Sequence, residues 1–184
     1  MHNEFQDENR IIDTNNSNYK QFIFIIGFIL VVLVGFVLMA KNQNMITVIN
    51  GNLNKTPYVL APGKYQDSDC GMVINEMSFV SQVISNDGQT WFFHDHGGMA
   101  KWLKDKPLKD TAIIWVMSLD SKKYIDGRKA WYSRTDTTPM GYGFGAYEIK
   151  KDGFVTFEEM FLHAVRGEHL QDPKIRALLM KDTK

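Results

Sequence analysis

Hydrophobic and polar positions split the chain near residue 41. Residues 22–40 read FIFIIGFILVVLVGFVLMA, 19 positions without a charge, and at about 1.5 Å per residue a helix of that length spans close to a ~30 Å hydrocarbon layer. The run predicts an uncleaved membrane anchor, because it is too long for the apolar part of a signal peptide and no small-x-small site precedes Lys41. A lipoprotein needs a cysteine directly after the run, and the single cysteine lies 30 residues beyond Ala40. Residues 1–20 are polar and Asn-rich with no apolar period, and are expected to be a disordered tail.

Beyond the anchor the period changes from helical to mixed. Met45-Ile46-Thr47-Val48-Ile49 predicts one short strand inside a linker, 42–68, that is rich in Asn, Gly, Pro and Asp. Residues 79–84 and 90–93 are β-rich runs separated by Asn86-Asp87-Gly88, a strong hairpin pattern. Residues 97–104 then read as a short helix and 111–118 as a buried strand. The second half follows the same plan, with strands at 130–133 and 143–150, a turn at Asp152-Gly153 and a helix over 156–165. Thr156 is placed as its N-cap, and Glu158 and Glu159 suit the helix dipole. An offset of 65 residues aligns Asp87-Gly88 with Asp152-Gly153, Phe79 with Phe144 and Phe92 with Phe157. The expected fold is α+β: a transmembrane helix, then a soluble domain over 69–184 made of two similar small α+β modules.

Charge narrows the function classes. With 21 basic and 21 acidic residues the chain is neutral, and no Lys/Arg cluster is interleaved with aromatics, so no nucleic-acid or anionic-surface partner is suggested. Arg10 and Lys20 on one side of the anchor and Lys41 and Lys55 on the other leave its orientation a near tie by charge. One cysteine excludes an internal disulfide and leaves a thiol for reactivity or metal. The glycines of Gly141-Tyr142-Gly143-Phe144-Gly145 lack the Lys-Ser/Thr ending and following helix of a phosphate loop.

That cysteine sits in Asp69-Cys70-Gly71-Met72. A thiolate and a thioether two positions apart at a glycine turn suit Cu(I) and suit hard cations poorly; the competing reading is a small buried Cys beside a gap-filling Met. His94 and His96, in a strand of period two, would share a face with Phe92, with Trp91, Phe93 and Asp95 on the other. They would be imidazole donors or solvated groups at a strand end. Met99, beside Trp102 and Leu103, has the spacing of a core residue. Met77, Met117, Met160 and Met180 are assigned to packing or surface, and His163 and His169 to solvent or capping.

Cys70-Gly71-Met72, with Thr138-Pro139-Met140-Gly141 before the second aromatic strand, resembles the NosL family, copper-binding accessory proteins of nitrous oxide reductase maturation. The resemblance covers about residues 69–166. It implies two α+β modules and a Cu(I) metallochaperone, rather than an enzyme, with its site facing the periplasm; joined to the anchor read above, this makes the expected protein a single-pass one of the bacterial inner membrane with its tail, 1–20, in the cytoplasm. Its copper would pass to nitrous oxide reductase or the maturation transporter complex. Cys70 and Met72 would be ligands and Met140 a further one. Asp95 would match the family's acidic position, and Asp95, His94, His96 and Met99 are the residues to weigh as additional ligands or their supports. The chain departs from the many lipoprotein members in its anchor. Two other readings stand beside this one: a thiol-dependent enzyme in which His94 or His96 activates Cys70, and an interaction module without metal. Met72 and Met140 discriminate, having a job in Cu(I) ligation and none in thiol catalysis.

Overall fold

The computed structural model describes residues 4–41 and 45–181; residues 1–3 of the expected tail, 42–44 of the expected linker and 182–184 lie outside the described residues. The chain divides into two compact units at residue 44. The first is α1 (Glu4–Lys41), of which Tyr19–Met39 is long and apolar enough to cross a membrane. The backbone helix runs back to Glu4, where an unstructured tail was expected. Once the apolar run has nucleated a helix, further residues add to it without a new nucleus, so weakly helical positions can join it.

The second unit is a mixed α/β structure built on antiparallel pairing. Its main sheet has the order β1-β3-β2-β4-β5, with β1 at Val48–Ile49, β2 at Ser81–Ile84, β3 at Thr90–Phe93, β4 at Ile113–Met117 and β5 at Tyr124–Asp126. β2 and β3 form the hairpin read from Asn86-Asp87-Gly88, with Val83 opposite Trp91. Gly88 turns at φ +84°, and a Cβ there would stand 2.9 Å from the backbone carbon of Asn52, so only glycine fits. A small second sheet pairs β6 (Trp131–Tyr132) with β7 (Ala146–Tyr147). The expected strand over 143–150 shrinks to β7, since Gly143 at φ +90° interrupts the extended backbone before it.

Three helices complete the unit. α2 (His96–Leu103) follows β3, and α3 (Phe157–Arg166) packs against it. Thr156 caps α3 as expected, in a reciprocal capping box with Glu159, and Gly167 ends it in the left-handed region. α4 (Pro173–Leu179), which the pattern did not suggest, starts from Asp172 as N-cap with Pro173 in its first turn.

Period-two alternation gives the main sheet two buried faces. Val83, Phe93, Ile114 and Val116 meet Met99, Leu103, Tyr132, Phe144, Phe157 and Met160 in the larger core. Phe92 and Val80 join Leu60 and Ile74 in a second one, edged by Tyr58, Tyr65 and Met77. Residues 45–68 are therefore not a linker: they cover the second face. Tyr58 and Gln82 exchange two 2.8 Å hydrogen bonds, Tyr58 N–H to the Gln82 side-chain oxygen and the Gln82 amide to the Tyr58 carbonyl. Trp115 Nε1 donates to the Lys55 carbonyl at 2.9 Å. Fully buried Phe92 gives this docking its drive, at about 1.5–3 kcal/mol for one such side chain. The segment is polar because its backbone is satisfied by specific partners, and that polarity made it resemble a linker.

Candidate metal site

The covering segment ends in a tight turn that presents Cys70. Asp67 Oδ1 accepts the backbone N–H groups of Asp69 at 2.8 Å and Cys70 at 3.1 Å, and Gly71 N–H reaches the Asp67 carbonyl at 3.0 Å. This is N-cap geometry around one turn. Gly71, at φ +74°, ends the turn in the conformation that glycine adopts most easily. Asp67 N–H donates to the Met72 carbonyl at 2.8 Å, and the Gln66 side chain donates to the Gly71 carbonyl, so both sides of the turn are fastened. Cys70 is left exposed.

The second part of the site comes from the end of β3. His94, almost fully buried, donates its backbone N–H to Asp67 Oδ2 at 2.9 Å, and its Nδ1 lies 2.6 Å from the same oxygen. Cys70 Sγ stands 3.9 Å from that Nδ1. Asp67, Cys70 and His94 thus bring three donor atoms within 4.8 Å of one another, a group that could hold a metal ion. Burial pushes the Asp67 carboxyl up, but hydrogen bonds from the His94 ring and from the backbone of His94, Cys70 and Asp69 outweigh it and hold the group below the usual carboxylate range. Burial raises the Cys70 thiol; an N–H bond from Met72 opposes the rise, and the neighbouring Asp67 charge adds to it. A raised thiol stays protonated near neutral pH, and a soft cation would take the place of its proton.

The other expected residues distribute unevenly around this centre. Met72 is 46% exposed and joined to Cys70 by its backbone bond. Met140 is placed by Asp95: the buried carboxylate caps α2 at Gly97 N–H (3.0 Å) with Oδ1 and accepts Met140 N–H (3.0 Å) with Oδ2. Burial raises the Asp95 carboxyl, against hydrogen bonds that include one from Thr138. Gln171 Nε2 holds the Met140 carbonyl at 2.7 Å, and the Met140 sulfur lies over Gly98, 3.6 Å from where a Cβ would be. Two residues on, the Tyr142 ring lies flush on Gly97. Its phenol is pushed up by burial, then by the negative charges of Asp95, Asp69, Asp67 and Cys70, which places the loop after Met140 in the same electrostatic field as the thiol.

His96 and Met99 belong to the interior. β3 ends at Phe93 and the chain turns into a helix at His96, so the alternation expected to put both histidines on one face stops before either. His96 is fully buried with Nδ1 2.6 Å from Ser81 Oγ, and burial pushes its pKa down to about 3. Met99 is sealed in the larger core. Asp67 was not anticipated. Its pattern was nevertheless present in the sequence: an Asp three residues before Cys70, followed by Gly71, is a capped turn closing on glycine.

Comparison with protein-family models, with curated proteins and with solved structures finds no match to this chain.

Proposed function

We propose that this protein is a membrane-anchored Cu(I)-binding metallochaperone of the NosL type, holding copper at Cys70 for release to a client. The observation that carries the reading is the convergence of an exposed thiol and a buried imidazole, 3.9 Å apart, on a turn fastened by Asp67. Thiolate, thioether and imidazole are donors that Cu(I) accepts and Mg²⁺ or Ca²⁺ do not. Cys70 and Met72 are open to solvent, so a partner's sulfur can approach and take the ion by ligand exchange. Met140, on the loop next to Tyr142, is the further thioether. On this reading α1 is a single-pass anchor of a bacterial inner membrane, the domain lies in the periplasm, and nitrous oxide reductase or its maturation transporter complex receives the copper. β6–β7–α3 then repeats the order of β2–β3–α2 as a second, reduced module.

The geometry disfavours the thiol enzyme. In a nucleophile–His–acid relay the imidazole uses opposite nitrogens, one toward the nucleophile and one toward the acid. Here Asp67 and Cys70 face the same nitrogen, Nδ1, and the thiol is raised rather than lowered. The test is a Cu(I) titration of the full chain in detergent against a chromophoric chelator. Cys70→Ser abolishes competitive binding, while Met72→Leu and Met140→Leu each weaken it with little loss of fold, since Met to Leu conserves volume. Unchanged affinity in Cys70→Ser would end the copper reading.

A further inference from the structure

Outside the residues of the metal site, three stretches of chain meet on one exposed face of the second unit. Asp120 accepts the backbone N–H groups of Glu148 at 3.1 Å and Ile149 at 3.0 Å, which holds Lys122 and Lys123 beside the turn that carries Lys150 and Lys151. Leu179 of α4 lines one cleft with Asp152, Gly153 and Phe154, so α4 lies beside the same turn. Over residues 120–123, 148–153 and 173–181 seven basic side chains stand against three acidic ones, Asp120, Glu148 and Asp152, and the face is positive. No single run of the sequence declares it, since only the fold brings its lysines together.

Large apolar side chains stand out among these charges. Ile149 is 66% exposed, Leu178 61% and Met180 48%, and no residue of α4 is buried. Ile175 and Leu179 form the half-buried side of α4, whereas Lys174 and Leu178, four residues apart, share its exposed side. Trp131, Tyr147 and Phe154 are half-buried, with Lys150 Nζ 4.5 Å from the Trp131 ring centre and Lys151 Nζ 5.0 Å from that of Tyr147. Exposed apolar side chains rimmed by lysines, with aromatic rings beside them, match the layers of a bilayer surface: the acyl boundary, the headgroup charge and the amphipathic zone between. The same chain brings a bilayer within reach through α1, whose Tyr19–Met39 is long and apolar enough to cross one.

Resting on the anchor reading of α1 and not on copper, we propose that this face is a second membrane contact, which binds an anionic phospholipid surface. Ile149, Leu178 and Met180 enter the headgroup boundary, and Lys150, Lys151, Lys174 and Lys181 meet the lipid phosphates. A docked domain presents its other faces to partners in one fixed attitude to the membrane.

The experiment places the full chain in lipid nanodiscs whose scaffold lacks tryptophan, with Ile149→Trp as the reporter and bromine on the acyl chains as the quencher. Discs of phosphatidylcholine alone are compared with discs in which about a quarter of the lipid is phosphatidylglycerol. The expected result is quenching of the new tryptophan, beyond that of the unaltered chain, only in the discs with phosphatidylglycerol. Each lysine near an anionic surface is worth about fivefold in binding, so Lys150→Gln with Lys151→Gln lowers the docked-to-free ratio about 25-fold. Salt at about 1 M, where the screening length is about 3 Å, weakens the quenching as well. Thermal melts check that the glutamine variant stays folded. Quenching that is absent, that is equal in the two lipids, or that survives loss of both lysines overturns the proposal. Soluble polyglutamate that shifts the emission while lipid does not quench it overturns the proposal in favour of an acidic protein segment. A chain that does not co-purify with the discs removes the anchor reading and the docking together, whereas a failed Cu(I) titration leaves both standing.

Discussion

Two neighbouring glycines of α2 respond to the same substitution with opposite sign. At Gly97 a new Cβ would fall 2.2 Å from Tyr142 Cγ and 2.5 Å from its Cβ and Cδ1, far inside the 3.0 Å that real Cβ atoms observe. The ring must recede by about 1.2 Å to reach the 3.4 Å of an ordinary contact. Tyr142 is 3% exposed and has no open space to enter, so Gly97→Ala carries an overpacking cost of about 1–3 kcal/mol. At Gly98 the nearest atom to the new Cβ is the Met140 sulfur at 3.6 Å, an ordinary contact, and φ lies outside the left-handed region. Gly98→Ala then gains about 0.4–1 kcal/mol, because alanine loses less backbone freedom on folding. The first variant melts roughly 3–10 °C lower and the second a few degrees higher. All four tryptophans, Trp91, Trp102, Trp115 and Trp131, lie in the second unit, so their fluorescence in a thermal melt follows that unit without signal from α1. If Gly97→Ala melts as the unaltered protein does, or if both variants move together, the packing of Tyr142 on α2 is wrong. The account of how the Met140 loop is held would fall with it.

Thr156→Ala removes the acceptor of the α3 capping box and lowers stability by about 0.5–2 kcal/mol, read as a lower urea midpoint in the same fluorescence signal. His96 has a folded pKa pushed below its unfolded value, to about 3, so the folded state binds fewer protons. Its contribution is complete above about pH 6.5 and is lost as pH falls from there toward 3, with a slope of about 1.4 kcal/mol per pH unit. His96→Gln should flatten that part of the stability curve, and an unaltered slope would refute the burial argument. A periplasmic domain predicts that reporters fused after Lys184 work only when exported; a fusion active only in the cytoplasm refutes both the topology and the client assignment.

Legibility followed the range of the forces involved. The hairpin, the strand at 113–117, α2 and α3 with its Thr156 cap were readable because each rests on a local signal: a period, a turn residue or a cap. β5 is three half-buried residues whose partner is β4, and its sequence carries no alternation long enough to declare it. Residues 45–68 were misread because what holds them is distant: Tyr58 depends on Gln82, Lys55 on Trp115, and Leu60 on Phe92. At the site, Cys70 was legible from its solitude and its sulfur neighbour. His94 and His96 looked alike in sequence, and only the end of β3 at Phe93 separates a ring facing Asp67 from one facing Ser81.

The fastening of Cys70 through Asp67 to His94 sets an order in time. The thiol and its imidazole neighbour are 24 residues apart, and Asp67 and His94 are 27 apart, on opposite sides of the β2–β3 hairpin. A chain emerging residue by residue offers the local sulfurs of Cys70 and Met72 without the imidazole until that hairpin has closed and the covering segment has settled on its face. If the copper reading holds, an ion met earlier would find the two sulfurs alone and exchange away quickly; one met later would find the prepared site. On that reading the maturity of the fold, rather than the presence of the cysteine, would decide when the protein begins to collect metal.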